Sequence, residues 1–157
     1  MEADRSTAEQ ALVTLLNQLH RTYRRLLDRA LAAHGQSAAQ TLPVIFIARS
    51  GDGIRQGALA ELLGIEGPSL VRQLDQLEAA GLVERKDDPK DRRAKGLYLT
   101  AAGRELAERA EILFGGLRGG VLTAVSDADL QTTLRVLREF EQAVLSALGQ
   151  PTSSGND

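Results

Sequence analysis

Apolar residues recur along this chain with two different periods, and the places where the period changes divide it. From Ala11 to Leu31 they fall at Leu12, Leu15, Leu16, Leu19, Tyr23, Leu26, Leu27, Ala30 and Leu31. This i, i+3, i+4, i+7 spacing marks one face of an α-helix and predicts about six turns that stop at Gly35. The segment "SAAQTLPVIFIARSGDG" predicts a second, largely buried helix with Pro43 near its start and Gly51 and Gly53 at its end. "QGALAELLGI" then predicts a short helix and a tight turn around Gly64, and a further helix begins near Pro68, where a missing N–H costs nothing. In that helix Leu70, Val71, Leu74 and Leu77 form the inward stripe, leaving Ser69, Arg72, Gln73 and Gln76 outward.

Beyond Gly81, a predicted helix C-cap, the period drops to two. "GLVERK" reads as a strand, "DDPKDRRA" as a turn and "KGLYLT", with Leu97 and Leu99 alternating, as the returning strand of a hairpin. Near the C-terminus Ser126 and Asp129 form a capping box ahead of Leu130, Leu134, Leu137, Phe140 or Glu141, Val144 and Leu148, which predicts another amphipathic helix. The tail "GQPTSSGND" has the composition of disorder.

Composition sharpens this picture. Aromatic residues make up 3% of the chain against 43% hydrophobic residues overall, so the core is built from Leu, Ala, Val and Ile, as in helical assemblies. The two end helices carry more apolar stripe than a middle zone of about 65 residues can cover, which predicts a homodimer; the alternative is a monomeric bundle in which the end helices pack on each other. There is no cysteine, and His20 and His34 are the only histidines. Disulfides and thiolate chemistry are therefore excluded, a zinc site is disfavoured, and both histidines are expected at the surface or an interface. Lacking also a Gly-rich phosphate loop, the chain is not expected to be an enzyme and no cofactor is implied. No apolar run reaches the ~18 residues that span a bilayer, and the acidic start "MEADRSTAEQ" is unlike a signal peptide, so a cytoplasmic protein without membrane contact is expected.

Charge supplies the candidate chemistry. Between Arg85 and Lys95 six cations (Arg85, Lys86, Lys90, Arg92, Arg93, Lys95) face three acids (Asp87, Asp88, Asp91), a local excess of three on a chain of formal net charge -2. A cationic hairpin beside a helix can lay arginines into the negative minor groove of DNA while the helix enters the major groove. On that helix Arg72 suits guanine, Gln73 and Gln76 suit adenine, and Ser69 suits a phosphate near the positive helix terminus. An ordinary solvated helix face is the competing reading of these four residues. Asp91 can hold the Arg93 guanidinium and so reduce the ~2 kcal/mol of rotamer entropy that binding must freeze, or serve as a turn residue after Pro89; the two roles are compatible. Arg92 is open between a phosphate contact and a strand-edge salt bridge, and Lys95 completes the set of candidate DNA contacts.

In order along the chain, "GIEGPSLVRQLDQLEAAGLVER", "DPKDRRAKGLYLT" and "AAGRELAE" resemble the winged helix-turn-helix core of MarR-family transcriptional regulators, over residues 55–105. "GIEGPSLVRQLDQLE" with "DRRAK" is most similar to the SlyA branch. The resemblance implies a mainly α fold with a small β-hairpin wing, in which N- and C-terminal helices intertwine as a homodimer and each subunit carries one winged lobe. It divides the chain into a dimerisation helix (1–36), a DNA-binding domain (37–100), C-terminal dimerisation helices (101–149) and a disordered tail (150–157). The family's Asp-x-Arg wing signature falls on Asp91 and Arg93, with the arginine in the minor groove and the aspartate orienting it.

The resemblance also implies a regulatory ligand, commonly a small aromatic or phenolic anion, bound between the dimer region and the winged lobe. The positions carried over are Arg21 and Arg24 on the first helix with Thr41 and Ile45 on the second, an Arg beside an apolar crevice suiting a carboxylate. For the arginines, a solvated helix face or an intersubunit ion pair competes. In the SlyA branch the position of Thr41 tends to be aromatic, and here it is not. "FGGLRGGVLTAV", residues 114–125, puts two glycine pairs where the family runs a continuous fifth helix. Each Gly costs ~1 kcal/mol in a helix interior, so a kink or break is predicted, either as a hinge that alters lobe separation or as a loop between helices.

The expected function is that of a dimeric transcriptional regulator, of repressor type, which binds a pseudo-palindromic double-stranded promoter site and is relieved by a small ligand. The rival is a winged-helix protein-interaction module without specific DNA binding.

Overall fold

The computed structural model describes residues 2–88 and 91–149, with side chains over 4–87 and 95–149. Six helices and three short strands follow one another as α1 (Glu2–Ala32), α2 (Ala38–Ser50), β1 (Ile54–Arg55), α3 (Gln56–Leu63), α4 (Gly67–Ala79), β2 (Val83–Asp88), β3 (Asp91–Leu99), α5 (Ala101–Leu122) and α6 (Asp127–Ala147). By its contacts the chain forms two compact units, Met1–Gly115 and Gly116–Asp157.

In the first unit, one core joins Val44 and Ile47 of α2, Leu59 of α3, Leu70, Leu74 and Leu77 of α4, Val83, Leu97 and Leu99 of the sheet, and Leu106 and Ala107 of α5. Helix ends are built from polar caps that the pattern did not mark and from glycines that it did. Ser37 caps α2, its Oγ accepting from the Gln40 N–H at 3.4 Å. Asp28 of α1 adds a carboxylate at the same end, accepting from the Ala38 N–H at 3.3 Å, where the helix dipole favours negative charge. Gly64 (φ 63°) and Gly81 (φ 69°) take the left-handed conformation that lets α3 and α4 stop abruptly. After each glycine the next N–H turns back into the helix, Ile65 to Ala60 O at 3.1 Å and Leu82 to Leu77 O at 2.9 Å.

The sheet has the order β1-β3-β2 and is antiparallel throughout. The hairpin predicted from the change of period is present, with Val83 opposite Leu99 and Asp87 opposite Lys95. Its strands run further into the loop than the turn-rich composition suggested, reaching Asp88 and restarting at Asp91, with a register shift between Asp87 and Asp88. Strand β1 is two residues long, Ile54 opposite Leu97 and Arg55 opposite Gly96, too short to leave an alternating pattern.

Two expectations are corrected. Val71 is 38% exposed and does not belong to the inward stripe of α4, which consists of Leu70, Leu74 and Leu77. Helix α5 runs unbroken from Ala101 to Leu122 through both glycine pairs, so neither a break nor a loop separates helices there. Helix propensity is a weak prior: the first half of α5 is held by buried Leu106, Ala107, Ala110 and Phe114, and the helix continues from it through the glycines with no further buried residue.

In the second unit α6 starts at the predicted cap: Ser126 Oγ accepts from the Asp129 N–H at 3.1 Å. Among the described residues α6 buries none of its side chains. No helix among the described residues is long and apolar enough to cross a membrane. The tail from residue 150 lies outside the described residues.

Candidate nucleic-acid interface

Helix α4 is the second helix of a helix-turn-helix whose turn is Gly64–Glu66. Pro68 in its first turn supplies a preset φ and gives up an N–H that has no intrahelical partner there. The Ser69 and Leu70 N–H groups both turn back to the Glu66 carbonyl at 3.1 Å, closing the first turn. With Leu70, Leu74 and Leu77 buried, Ser69, Arg72 and Gln76 are exposed on one side and Gln73 is half-buried at its edge. The structure therefore brings the four predicted reading residues onto a single surface of α4, anchored from behind by the core.

The hairpin stands beside this surface. Lys95 is exposed on β3 opposite Asp87 of β2. Asp91, Arg92 and Arg93 belong to the backbone of β3, but their side chains lie outside the described residues, as does Lys90 altogether. Two of the six cations counted from the sequence are already paired. Arg85 Nη2 donates to Asp75 at 2.7 Å and Nη1 to Glu78, both on α4. Burial lowers the Arg85 pKa, but the hydrogen bonds to the two carboxylates outweigh it and leave the group raised. Lys86 lies 2.7 Å from Glu84 and 5.2 Å from the centre of the Tyr98 ring, and its hydrogen bond to Glu84 raises its pKa. Of the wing cations whose side chains are described, Arg85 and Lys86 are thus paired and Lys95 is exposed.

Sequence reasoning missed the joint that fixes α5 to the back of α4. Thr100 Oγ1 donates to the Gly81 carbonyl at 2.7 Å and accepts from the Gly103 N–H at 3.0 Å, so one hydroxyl caps α5 and ties it to the end of α4. At Gly103 a Cβ would sit 2.1 Å from the Leu82 carbonyl oxygen. Two ion pairs extend the joint to α2 and the loop after it, Arg49 with Glu111 and Arg104 with Asp52 at 3.4 Å. A Thr three residues before a Gly is the only trace of this joint in the sequence.

The four residues carried over for an effector are placed differently from one another. Arg21 is exposed and Arg24 half-buried, 3.9 Å from Asp28; both border a surface crevice of ≈ 580 Å³ with Gln18, His20, Thr22 and Arg25. Thr41 and Ile45 are buried in α2 and do not line that crevice, and Thr41 Oγ1 has no hydrogen-bond partner among the described residues. His34 borders a second crevice with Gln36, Arg109, Ala110, Ile112 and Leu113.

A helix-turn-helix closed by an antiparallel hairpin, with polar side chains along the second helix, defines a winged helix-turn-helix domain. The sequence profile of the MarR family matches residues 34–94. The solved structure of transcriptional regulator PA3341 is 39% identical and similar over 83% of this chain and 98% of its own, with a TM-score of 0.73. MarR from E. coli, solved as a variant in complex with operator DNA, is 26% identical over 83% of this chain and 93% of its own, with a TM-score of 0.70. MepR from S. aureus, also solved with DNA, shares the fold at 21% identity and a TM-score of 0.71, over 83% of this chain and 94% of its own. This chain belongs to the MarR family of transcriptional regulators.

Proposed function

We propose that the protein is a dimeric, sequence-specific regulator that binds a pseudo-palindromic promoter site and represses transcription until a small ligand relieves it. The observation that carries this reading is the α4 surface: Ser69, Arg72 and Gln76 are exposed in a row over a continuous core, beside a hairpin whose loop sequence is rich in Lys and Arg. The E. coli relative, solved in complex with operator DNA, supports a DNA-binding role for this fold. In this proposal residues 37–100 are the DNA-binding region and 1–36 and 101–149 the dimerisation region, and the resemblance of "GIEGPSLVRQLDQLE" and "DRRAK" favours the SlyA branch.

In this reading each α4 enters a major groove about one helical turn from its mate, while Arg93, oriented by Asp91, reaches the flanking minor groove and Arg92 and Lys95 meet phosphates. The net negative charge of the chain does not oppose this, because fields from distal helices decay within a Debye length of ~8 Å at physiological salt. The effector is a small aromatic or phenolic anion. Arg21 and Arg24 supply its charge partner from the α1 crevice, and contact with Thr41 and Ile45 requires the packing around α2 to open.

The test is an anisotropy titration against duplexes that the purified protein retains from fragmented genomic DNA. Arg93→Ala weakens binding to all duplexes and lowers the salt slope by about one per subunit, whereas Arg72→Ala costs ~1–3 kcal/mol only at particular bases. Retention of no fragment above random duplex, even at low salt, overturns the proposal.

A further inference from the structure

At about 100° per residue, α4 presents three faces roughly a third of a turn apart. One is the core stripe of Leu70, Leu74 and Leu77; one carries Ser69, Arg72 and Gln76; the third carries Asp75 and Glu78. Arg85 of β2 lies across the third. Its Nη2 donates to Asp75 Oδ1 at 2.7 Å, its Nη1 donates to Glu78 Oε2, and its backbone N–H donates to Glu78 Oε1 at 3.4 Å. The Arg85 side chain is only 18% exposed, against 59% for Asp75 and 43% for Glu78.

A cation held between two carboxylates leaves a net charge of minus one at that spot, which does not attract phosphate. What the arrangement does supply is mechanical. A planar guanidinium gripping two acceptors three residues apart on one helix face resists roll of that helix about its axis, which a single point contact does not. A roll of about 10° would carry an arginine tip held roughly 8 Å from the helix axis by roughly 1.4 Å, enough to break a bidentate bond to a base edge. The Gly81–Leu82 turn fixes where α4 ends, and the Arg85 fork fixes how it is turned.

We propose that Arg85 is a positioning residue for sequence reading: it locks the roll of α4 against the hairpin, so that Arg72, Gln76 and the wing meet one duplex in one register. The inference rests on the DNA-binding reading above.

It is tested on the full-length protein with three probes: the duplex the parent selects from a random-sequence pool, a single-base variant of it, and an unrelated duplex. Affinities of Arg85→Met and Arg85→Lys are measured by anisotropy across a salt series, after thermal melting has shown that each folds. In both variants the preference for the selected duplex falls about tenfold while the slope of log affinity against log salt stays that of the parent. Arg85→Lys keeps the charge and one ion pair, so it serves where Arg85→Met does not fold. A salt slope reduced by about one per subunit with the preference intact would make Arg85 a phosphate contact and overturn the inference. Full preference in Arg85→Lys overturns it equally, since charge without the fork would then suffice. Selection of no duplex by the parent overturns the DNA reading, and the inference falls with it.

Discussion

Gly103 has no room for a side chain. A Cβ there would meet the Leu82 carbonyl oxygen at 2.1 Å, and Leu82 is itself held by its N–H bond to Leu77 O and by accepting from the Thr100 N–H at 3.1 Å. The obstacle is backbone and cannot swing aside. Gly103→Ala therefore destabilises by about 3 kcal/mol, seen as a lower urea midpoint at unchanged slope. Thr41 is the opposite case: its hydroxyl is buried without a partner among the described residues, so it carries a desolvation cost that no hydrogen bond offsets. Thr41→Val, which keeps the shape, raises stability by ~1 kcal/mol in the same assay. Gly103 is unmarked in the sequence, and Thr41 stands out there only as an effector position; what each is pressed against is legible only in the fold, because the pressing groups are distant in the chain or belong to the backbone.

Among the elements, those set by local period were legible and those set by distant contacts were not. The spacing of Leu12 to Leu31, the Ser126 cap and the Gly81 stop all act within a few residues, and α1, α6 and the end of α4 follow from them. Strand β1 exists only because β3 is there to pair with it, and Val71 falls outside the α4 core although its position in the sequence stripe is as apolar as its neighbours. The glycine pairs of α5 mislead in another way: their propensity cost is a weak prior, and the helix continues through them although none of its residues after Phe114 is buried. Of the candidate site, the exposure of Ser69, Arg72 and Gln76 on one face of α4 was legible from the helical period, whereas the pairing of Arg85 and Lys86 was not, since a count of charges does not say which are already neutralised. The joint between α4 and α5 can be tested as an element. Thr100→Ser keeps the hydroxyl that Gly103 N–H donates to and leaves stability nearly unchanged, while Thr100→Ala costs ~1 kcal/mol by thermal melting.

For the whole molecule the decisive feature is apolar surface left in water. Leu15 and Leu19 of α1 are 59% and 58% exposed, and Val144 of α6 and its C-cap Leu148 are 44% and 67% exposed, although both helices have the periodicity of buried faces. Two amphipathic helices at opposite ends of one chain, α1 with the first half of its stripe uncovered and α6 with no residue buried, are the surfaces a second copy of the chain would close over. Sedimentation of the parent is therefore expected to show a dimer, and Leu15→Glu combined with Leu19→Glu a monomer, because each change puts a charge where burial would leave it unpaired. The first unit keeps its own core of Val44, Leu59, Leu70 and Leu97 away from these positions, so the monomer still melts cooperatively. Its DNA affinity nevertheless collapses. A dimer places two α4 helices on one duplex and neutralises two sets of phosphates, so separating the subunits removes half the base contacts and halves the salt slope together. A monomeric variant that bound the selected duplex as tightly as the parent would show that one winged unit suffices, and the pseudo-palindromic reading would fail with it.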